Sequence, residues 1–224
     1  MSISIIIPTL NESAGIAEAV QRALALGGRE VIVVDGGSTD GTVDLARDAT
    51  RVLSTAPGRA RQQNAGAAVA TGDILLFLHA DCWLEPGSLS EIAAALADPA
   101  RVGGCFGQQI EATGRKYRWL EWGNALRVRW WTLAYGDQAI FVRKSVFEEL
   151  GGFPDLKLME DLFFMRTLRK RGRFALLPPL LHVSARRWQK HGVIRQTVRN
   201  WLLTLAAHWG VSPNTLARFY PPAR

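Results

Sequence analysis

The sequence predicts an α/β fold: a mostly parallel central sheet with helices on both faces and a basic helical extension at the C-terminal end. Three observations lead there. Apolar runs of a few residues recur through the first eighty positions, without the polar alternation of a half-wetted sheet. Stretches of helical periodicity separate them, which gives βαβ units. The charge then reverses, from 7 Lys/Arg against 13 Asp/Glu in residues 1–114 to 20 against 7 in residues 115–224. At 224 residues the chain suits one domain, over 1–180, with an appendage over 181–224.

Each element has its own signal. Ser4-Ile-Ile-Ile7 is a buried strand stopped by Pro8. Ile16, Val20, Ala23 and Leu24 recur at helical spacing over 14–26, and Val31-Ile-Val-Val34 is the second buried strand. Asp35-Gly-Gly-Ser-Thr-Asp-Gly41 is a turn, and Ser38, Thr39 or Asp40 can cap a helix over 41–49. A third strand over Arg51–Ser54, a helix over 59–70, a strand over Ile74–Leu78 and a helix from Gly87 to Ala97 follow. In the basic half, Trp119, Trp122, Leu126 and Trp130 keep helical spacing. Beyond them we expect a strand over Asp137–Val142, a helix from Ser145, a loop at Gly151-Gly-Phe-Pro154 and a helix over Glu160–Arg171. A strand over Arg173–Leu177 is expected to break at Pro178-Pro179. The last helix spans 193–209; its stripe of Ile194, Val198, Trp201, Leu202, Leu205 and Trp209, with Arg195 and Arg199 off it, is expected to pack on the core, the alternative being a second membrane-facing surface.

Composition excludes several classes. With 48% hydrophobic and 21% charged residues the chain is neither disordered nor fibrous. Cys82 and Cys105 alone build no disulfide framework and no Cys-rich zinc module, and they suit a reducing compartment. The N-terminus lacks a charged n-region and a small-residue cleavage site, so a signal peptide is not expected. The longest apolar runs fall far short of the roughly 20 residues of a membrane span. Seven of the eight Trp lie in the basic half, which suits a nucleic acid, an anionic membrane surface or a phosphorylated substrate.

In a sheet of this kind, ligands bind beyond the carboxyl ends of the strands. Thr9–Glu12, Asp35–Ser38 and His79–Asp81 then share one rim. Asp35 can accept hydrogen bonds from a base or ribose, or can serve its own turn. Gly36-Gly37 permits close backbone approach but makes no GxGxxG, so a dinucleotide site is disfavoured. Asp81 is placed to hold Mg²⁺ or Mn²⁺ on a substrate diphosphate, or to cap the helix near Gly87. His79 is a second ligand, favouring Mn²⁺, or a structural hydrogen-bonder. Glu160-Asp161 reads as a general base or as ordinary acidic residues at a helix start. Arg59 and Arg61 suit a diphosphate clamp or a solvated face. Arg186-Arg187-Trp188 offers cations beside an aromatic plate.

Taken in order, these segments resemble the family 2 glycosyltransferases of the GT-A fold. Ser4-Ile-Ile-Ile-Pro-Thr-Leu-Asn-Glu12 is similar to that family's first strand and nucleotide loop, and Glu30-Val-Ile-Val-Val-Asp-Gly-Gly-Ser-Thr-Asp-Gly-Thr42 to its second motif. Gly58-Arg-Ala-Arg-Gln-Gln-Asn-Ala-Gly66 and Ala70-Thr-Gly-Asp73 resemble the segment before the metal motif, and Leu78-His-Ala-Asp81 stands at the DxD position. Gly151-Gly-Phe-Pro154 and Glu160-Asp161 resemble the acceptor-side motif, so the likeness spans about residues 3–175. Arg187-Trp188 resembles the end of a QxxRW motif, although Ser184 stands where Gln belongs, which disfavours a processive polysaccharide synthase. The Leu-His-Ala-Asp variant and Tyr135-Gly-Asp-Gln138 resemble a small bacterial subgroup often labelled arsenosugar-biosynthesis glycosyltransferases.

The resemblance implies that residues 1–114 bind the nucleotide and 115–180 the acceptor. Pro8, Thr9, Asn11, Glu12, Asp35, Gly37 and Ser38 would hold the base and ribose, with Arg59, Arg61 and Asp81 toward the diphosphate. Asp81 and His79 would bind the divalent metal. Asp161, or Glu160 in its place, would be the base, with Asp137, Gln138, Arg187 and Trp188 toward the acceptor and diphosphate. Transfer from a nucleotide-sugar, UDP being the expected nucleotide, would be inverting. The alternatives are a nucleotidyltransferase, or a non-catalytic nucleotide- or nucleic-acid-binding protein. Carboxylates at three strand or helix starts favour an enzyme, and no nucleic-acid module is present. A lipid-like acceptor is expected from the basic half, where Trp119, Trp122, Trp130 and Trp131 lie among Arg115, Lys116, Arg118, Arg127 and Arg129. The expected location is the cytoplasm, with contact at the inner face of the membrane.

Overall fold

The computed structural model describes residues 1–219, without the side chains of Arg187 and His191. Eight strands form one mixed sheet in the order β3-β2-β1-β4-β7-β6-β8-β5. They are β1 (Ile3–Thr9), β2 (Glu30–Asp35), β3 (Arg51–Ser54), β4 (Ile74–Phe77), β5 (Cys82–Leu84), β6 (Arg101–Glu111), β7 (Phe141–Arg143) and β8 (Arg173–Ser184). The front strands β3, β2, β1 and β4 pair in parallel, while β7 runs antiparallel to both β4 and β6. The helices are α1 (Ile16–Ala25), α2 (Thr42–Leu45), α3 (Arg59–Val69), α4 (Ser88–Ala95), α5 (Arg115–Trp131), α6 (Lys144–Glu149), α7 (Glu160–Leu168), α8 (Arg186–His191), α9 (Val193–His208) and α10 (Pro213–Leu216).

The apolar runs become strands because both sheet faces are covered. Along β1, Ile5 and Ile7 enter one core cluster with Ile16, Val20 and Ile92, while Ile6 enters the other with Ala60, Phe147 and Phe164. Side chains alternate across a strand, so an all-apolar run serves two cores at once.

The structure corrects the sequence reading in four places. β8 does not break at Pro178-Pro179. The prolines sit at a register shift between Phe106 and Gln108 of β6, where no ladder N–H is needed, and a Cβ on Gly107 would stand 3.1 Å from Pro179 Cα. Residue 180 therefore falls inside a strand, and the helices begin at Arg186. Strands β5 and β6 were not expected. β6 carries three glycines and two glutamines, yet a Cβ on Gly104 would lie 2.2 Å from Phe141 Cζ, so the neighbours admit only glycine there. Asp137–Val142 is a single 3₁₀ turn, Gly136–Gln138, followed by the short β7.

The fourth correction concerns α9. Its stripe of Ile194, Val198, Trp201, Leu202, Leu205 and Trp209 faces outward, and Gln196, Leu203 and Ala207 are buried instead. Among the described residues no helix is long and apolar enough to cross a membrane.

Candidate active site

β1 and β2 run in register, so Thr9 stands beside Asp35 at their carboxyl ends, and both are buried. Asp35 organises the turn that follows it. Its Oδ2 accepts the Gly37 N–H at 2.8 Å and the Ser38 N–H at 2.9 Å, and its Oδ1 accepts the Ser38 hydroxyl. Ser38 Oγ accepts the Asn11 N–H at 2.7 Å, and Asn11 Oδ1 accepts the Thr39 N–H at 2.9 Å. Asn11 reaches that pose in the left-handed region, at φ 50°. Thr42 Oγ1 accepts the Glu12 N–H at 2.8 Å. The Thr42 hydroxyl, with Ser13, holds the Asp40 carboxyl well below the usual carboxylate range. Pro8 lies one residue inside this rim.

Gln62 of α3, which the sequence reading passed over, ties the rim together. Its Nε2 donates to Thr9 O at 2.6 Å and Val34 O at 2.8 Å, and a Cβ on Gly36 would stand 3.0 Å from its amide carbon. Glycine at 36 is what lets this amide reach both strands. Thr9 Oγ1 is buried without a hydrogen-bond partner among the described residues.

At the end of β4 a tight turn, closed by Cys82 N–H donating to His79 O at 3.1 Å, leads into β5. It gathers ligand atoms of His79, Asp81 and Cys82 within 4.8 Å of one another. An imidazole, a carboxylate and a sulfur are a donor set that suits a divalent metal ion. Cys82 was absent from the expected set, its neighbour Asp81 being the only signal. Arg186 Nη2 lies 3.9 Å from Asp81 Oδ2.

The third corner is the start of α7. Asp161 Oδ2 accepts the Gly136 N–H at 2.5 Å, while Glu160 is buried with Arg59 Nη1 3.6 Å from its Oε1. That Oε1 has no hydrogen bond among the described residues. Loss of solvent, and next the Glu160 charge, push the Asp161 carboxyl up to about 6, against the Gly136 N–H and Arg59. Gly136 is where two corners meet: a Cβ there would lie 3.1 Å from His79 Nε2 and 3.4 Å from Asp161 Oδ2. The expected metal motif and the expected base thus face one glycine.

That glycine is held from α5. Arg127 stacks on Tyr135, 3.6 Å from guanidinium to ring centre, and donates to Leu133 O at 2.9 Å and Gln138 Oε1 at 2.6 Å. Gln138 is fully buried and its Oε1 also accepts the Tyr135 N–H. Asp137 O accepts Gln108 Nε2 at 2.9 Å. Arg127, expected among surface cations, belongs to this scaffold. Arg61 is drawn to Asp155 at 2.8 Å, apart from Arg59. Trp188 packs against the core clusters, and the Arg187 side chain lies outside the described residues.

A PGL/p-HBAD biosynthesis glycosyltransferase of Mycobacterium tuberculosis is 29% identical over 209 residues, covering 87% of this chain and 79% of the relative. Mannosyltransferase PcManGT from Pyrobaculum calidifontis, solved with GDP-Man and Mn²⁺, superposes with a TM-score of 0.66 at 21% identity, over 96% of this chain and 68% of that one. Glucosyl-3-phosphoglycerate synthase from Mycobacterium tuberculosis, solved with Mn²⁺, UDP and glucosyl-3-phosphoglycerate, gives 0.64 at 21%, over 94% and 80%. S. aureus TarS gives 0.66 at 19%, but this chain spans only 39% of it. These likenesses show the GT-A fold. The family model for glycosyl transferase family 2 matches residues 4–153, well over half of the chain, and the protein is therefore a family 2 glycosyltransferase.

Proposed function

We propose that this enzyme moves a sugar from a nucleoside diphosphate sugar to an acceptor hydroxyl in one displacement, with inversion at the anomeric carbon. The observation that carries the reading is the meeting of His79 and Asp161 at Gly136. Pro8, Thr9, Asn11, Glu12, Asp35, Gly37 and Ser38 would bind the base and ribose. Asp81 and His79, with Cys82 beside them, would hold a divalent metal, Mn²⁺ or Mg²⁺, which supplies charge stabilisation to a departing diphosphate. Arg59 lies beside Glu160 at the start of α7 and adds positive charge there. Asp161 takes the proton of the attacking hydroxyl, and the Gly136 N–H fixes the oxygen of the carboxylate. One base and no enzymic nucleophile give inversion. Support comes from solved neighbours, described with UDP-GlcNAc, with GDP-Man and Mn²⁺, and with UDP and Mn²⁺. UDP is the expected nucleotide. Residues 1–114 would serve the donor and 115–180 a lipid-like acceptor, with 181–224 an extension toward the inner face of the membrane.

The test needs no identified acceptor. UDP- and GDP-sugars are screened for binding with Mn²⁺, and the best donor is turned over with water as acceptor. The expected products are nucleoside diphosphate and a sugar of inverted anomeric configuration, read by proton NMR. Pyrophosphate would favour nucleotidyl transfer, and a retained anomer would remove the single displacement.

A further inference from the structure

We propose that α5 and α9 together form a platform that rests on an anionic phospholipid bilayer; only the delivery of an acceptor to Asp161 depends on the function proposed above. The two helices are joined near both ends. Tyr117 and Leu120 of α5 share a small apolar cluster with Ala185, Trp188 and Val193. Farther along, Thr204 of α9 hydrogen-bonds the Tyr135 hydroxyl at 3.1 Å, just beyond the end of α5. The start of α9 is thus tied to the start of α5, and its later part to the segment just after α5.

Their outer faces are apolar where solvent should favour polar groups. On α5 the side opposite the buried Tyr117 and Val128 carries Trp119, 68% exposed, Trp122 and Trp130, 70% exposed. On α9 the stripe from Ile194 to Trp209 includes Trp201, 72% exposed, and Trp209, 76% exposed. Monomeric proteins seldom expose a contiguous apolar patch of this kind. Trp concentrates where a bilayer meets water.

Charge chooses the occupant. Arg115, Lys116 and Arg129 flank the α5 tryptophans and Arg195 flanks the α9 stripe, while α9 holds no acidic residue. Residues 115–224 hold 20 Lys/Arg against 7 Asp/Glu. A second copy would set this positive rim against its own likeness, whereas an anionic leaflet complements it. The platform is also tied to the site. Leu203 and Ala207 pack near Leu158 and Met159, which immediately precede Glu160, and Tyr135 precedes Gly136.

The test is flotation of the full chain with vesicles of equimolar phosphatidylglycerol and phosphatidylcholine, and with phosphatidylcholine alone. Wild type should float with the anionic vesicles, with a blue shift of Trp emission, and should float less with neutral vesicles or at high salt. The double variant Trp119→Ser/Trp201→Ser should lose about tenfold or more in partitioning and keep its circular dichroism and its donor affinity. Wild type that stays at the bottom with anionic vesicles overturns the proposal. So does a variant that floats as well as wild type, or a dimer in sedimentation that the Trp substitutions dissociate. Flotation by a protein that releases no nucleoside diphosphate would leave the platform standing and count against the proposed reaction alone.

Discussion

The rim proposed for the donor and the corner proposed for the base are built by different means. At the rim, Asp35 bonds residues two and three positions away, and the strands that carry Thr9 and Asp35 are neighbours in both sequence and sheet. At the base corner, Asp161 is held by Gly136, 25 residues off, and Tyr135 is held by Thr204, 69 residues off. A turn that satisfies itself can be recognised from its own letters. A corner assembled from separate elements shows its logic only when the chain is folded.

The comparison implies that the two regions fail differently. On the proposed reading, Asp161→Asn removes the proton acceptor and nothing the donor touches. Release of nucleoside diphosphate, with water as acceptor, should fall about 10³-fold, with donor affinity by calorimetry within about twofold. A variant that loses both would merge the two regions into one. Glu160→Gln, run in parallel, should retain most turnover.

The fold itself supplies the next effect. Gly104→Ala adds a Cβ 2.2 Å from Phe141 Cζ and 2.6 Å from Ala175 O, on β6 in the middle of the mixed half of the sheet. Overpacking of this kind costs about 1–3 kcal/mol. Thermal unfolding should drop by roughly 2–4 °C for each kcal/mol. An unchanged Tm would mean that the sheet yields there.

Asp81→Asn reverses the pattern of Asp161→Asn. Donor affinity in the presence of Mn²⁺ should weaken about tenfold, or 1.4 kcal/mol, while affinity measured in chelator stays that of wild type. Equal affinity in both conditions would take Asp81 out of the donor site.

Legibility follows the same divide. Strands β1, β2 and β4 were visible because each is a largely apolar run covered on both faces. β6 was hidden because its glycines answer to Phe141 and Ala175, which no local pattern encodes. The prolines of β8 misled because their bulge depends on Gly107 of another strand. At the site, Asp35 ends β2, Asp81 stands in the turn between β4 and β5, and Asp161 lies in the first turn of α7, so each could be picked out. Gln62 reaches Thr9 O and Val34 O, Arg127 reaches Leu133 O and Gln138 Oε1, and Gly136 reaches Asp161 Oδ2, partners that only the fold supplies, so their residue types carried no signal. For α9 the spacing was read correctly, and of the two directions open to it the favoured one, toward the core, is not the one found. An apolar stripe looks the same whether it faces a core or the outside.

The smallest shift is also the most direct test that Asp161 is the base. A base works only when ionised, and here lost solvent and Glu160 raise its carboxyl to about 6. Turnover of bound donor should therefore fall as pH drops through about 6 and level off above it. In Glu160→Gln the neighbouring negative charge is gone, so the fall should move to lower pH. A limb near 6 in wild type that moves down in Glu160→Gln is the predicted result. A profile without that limb, or one that Glu160→Gln leaves in place, would contradict the assignment.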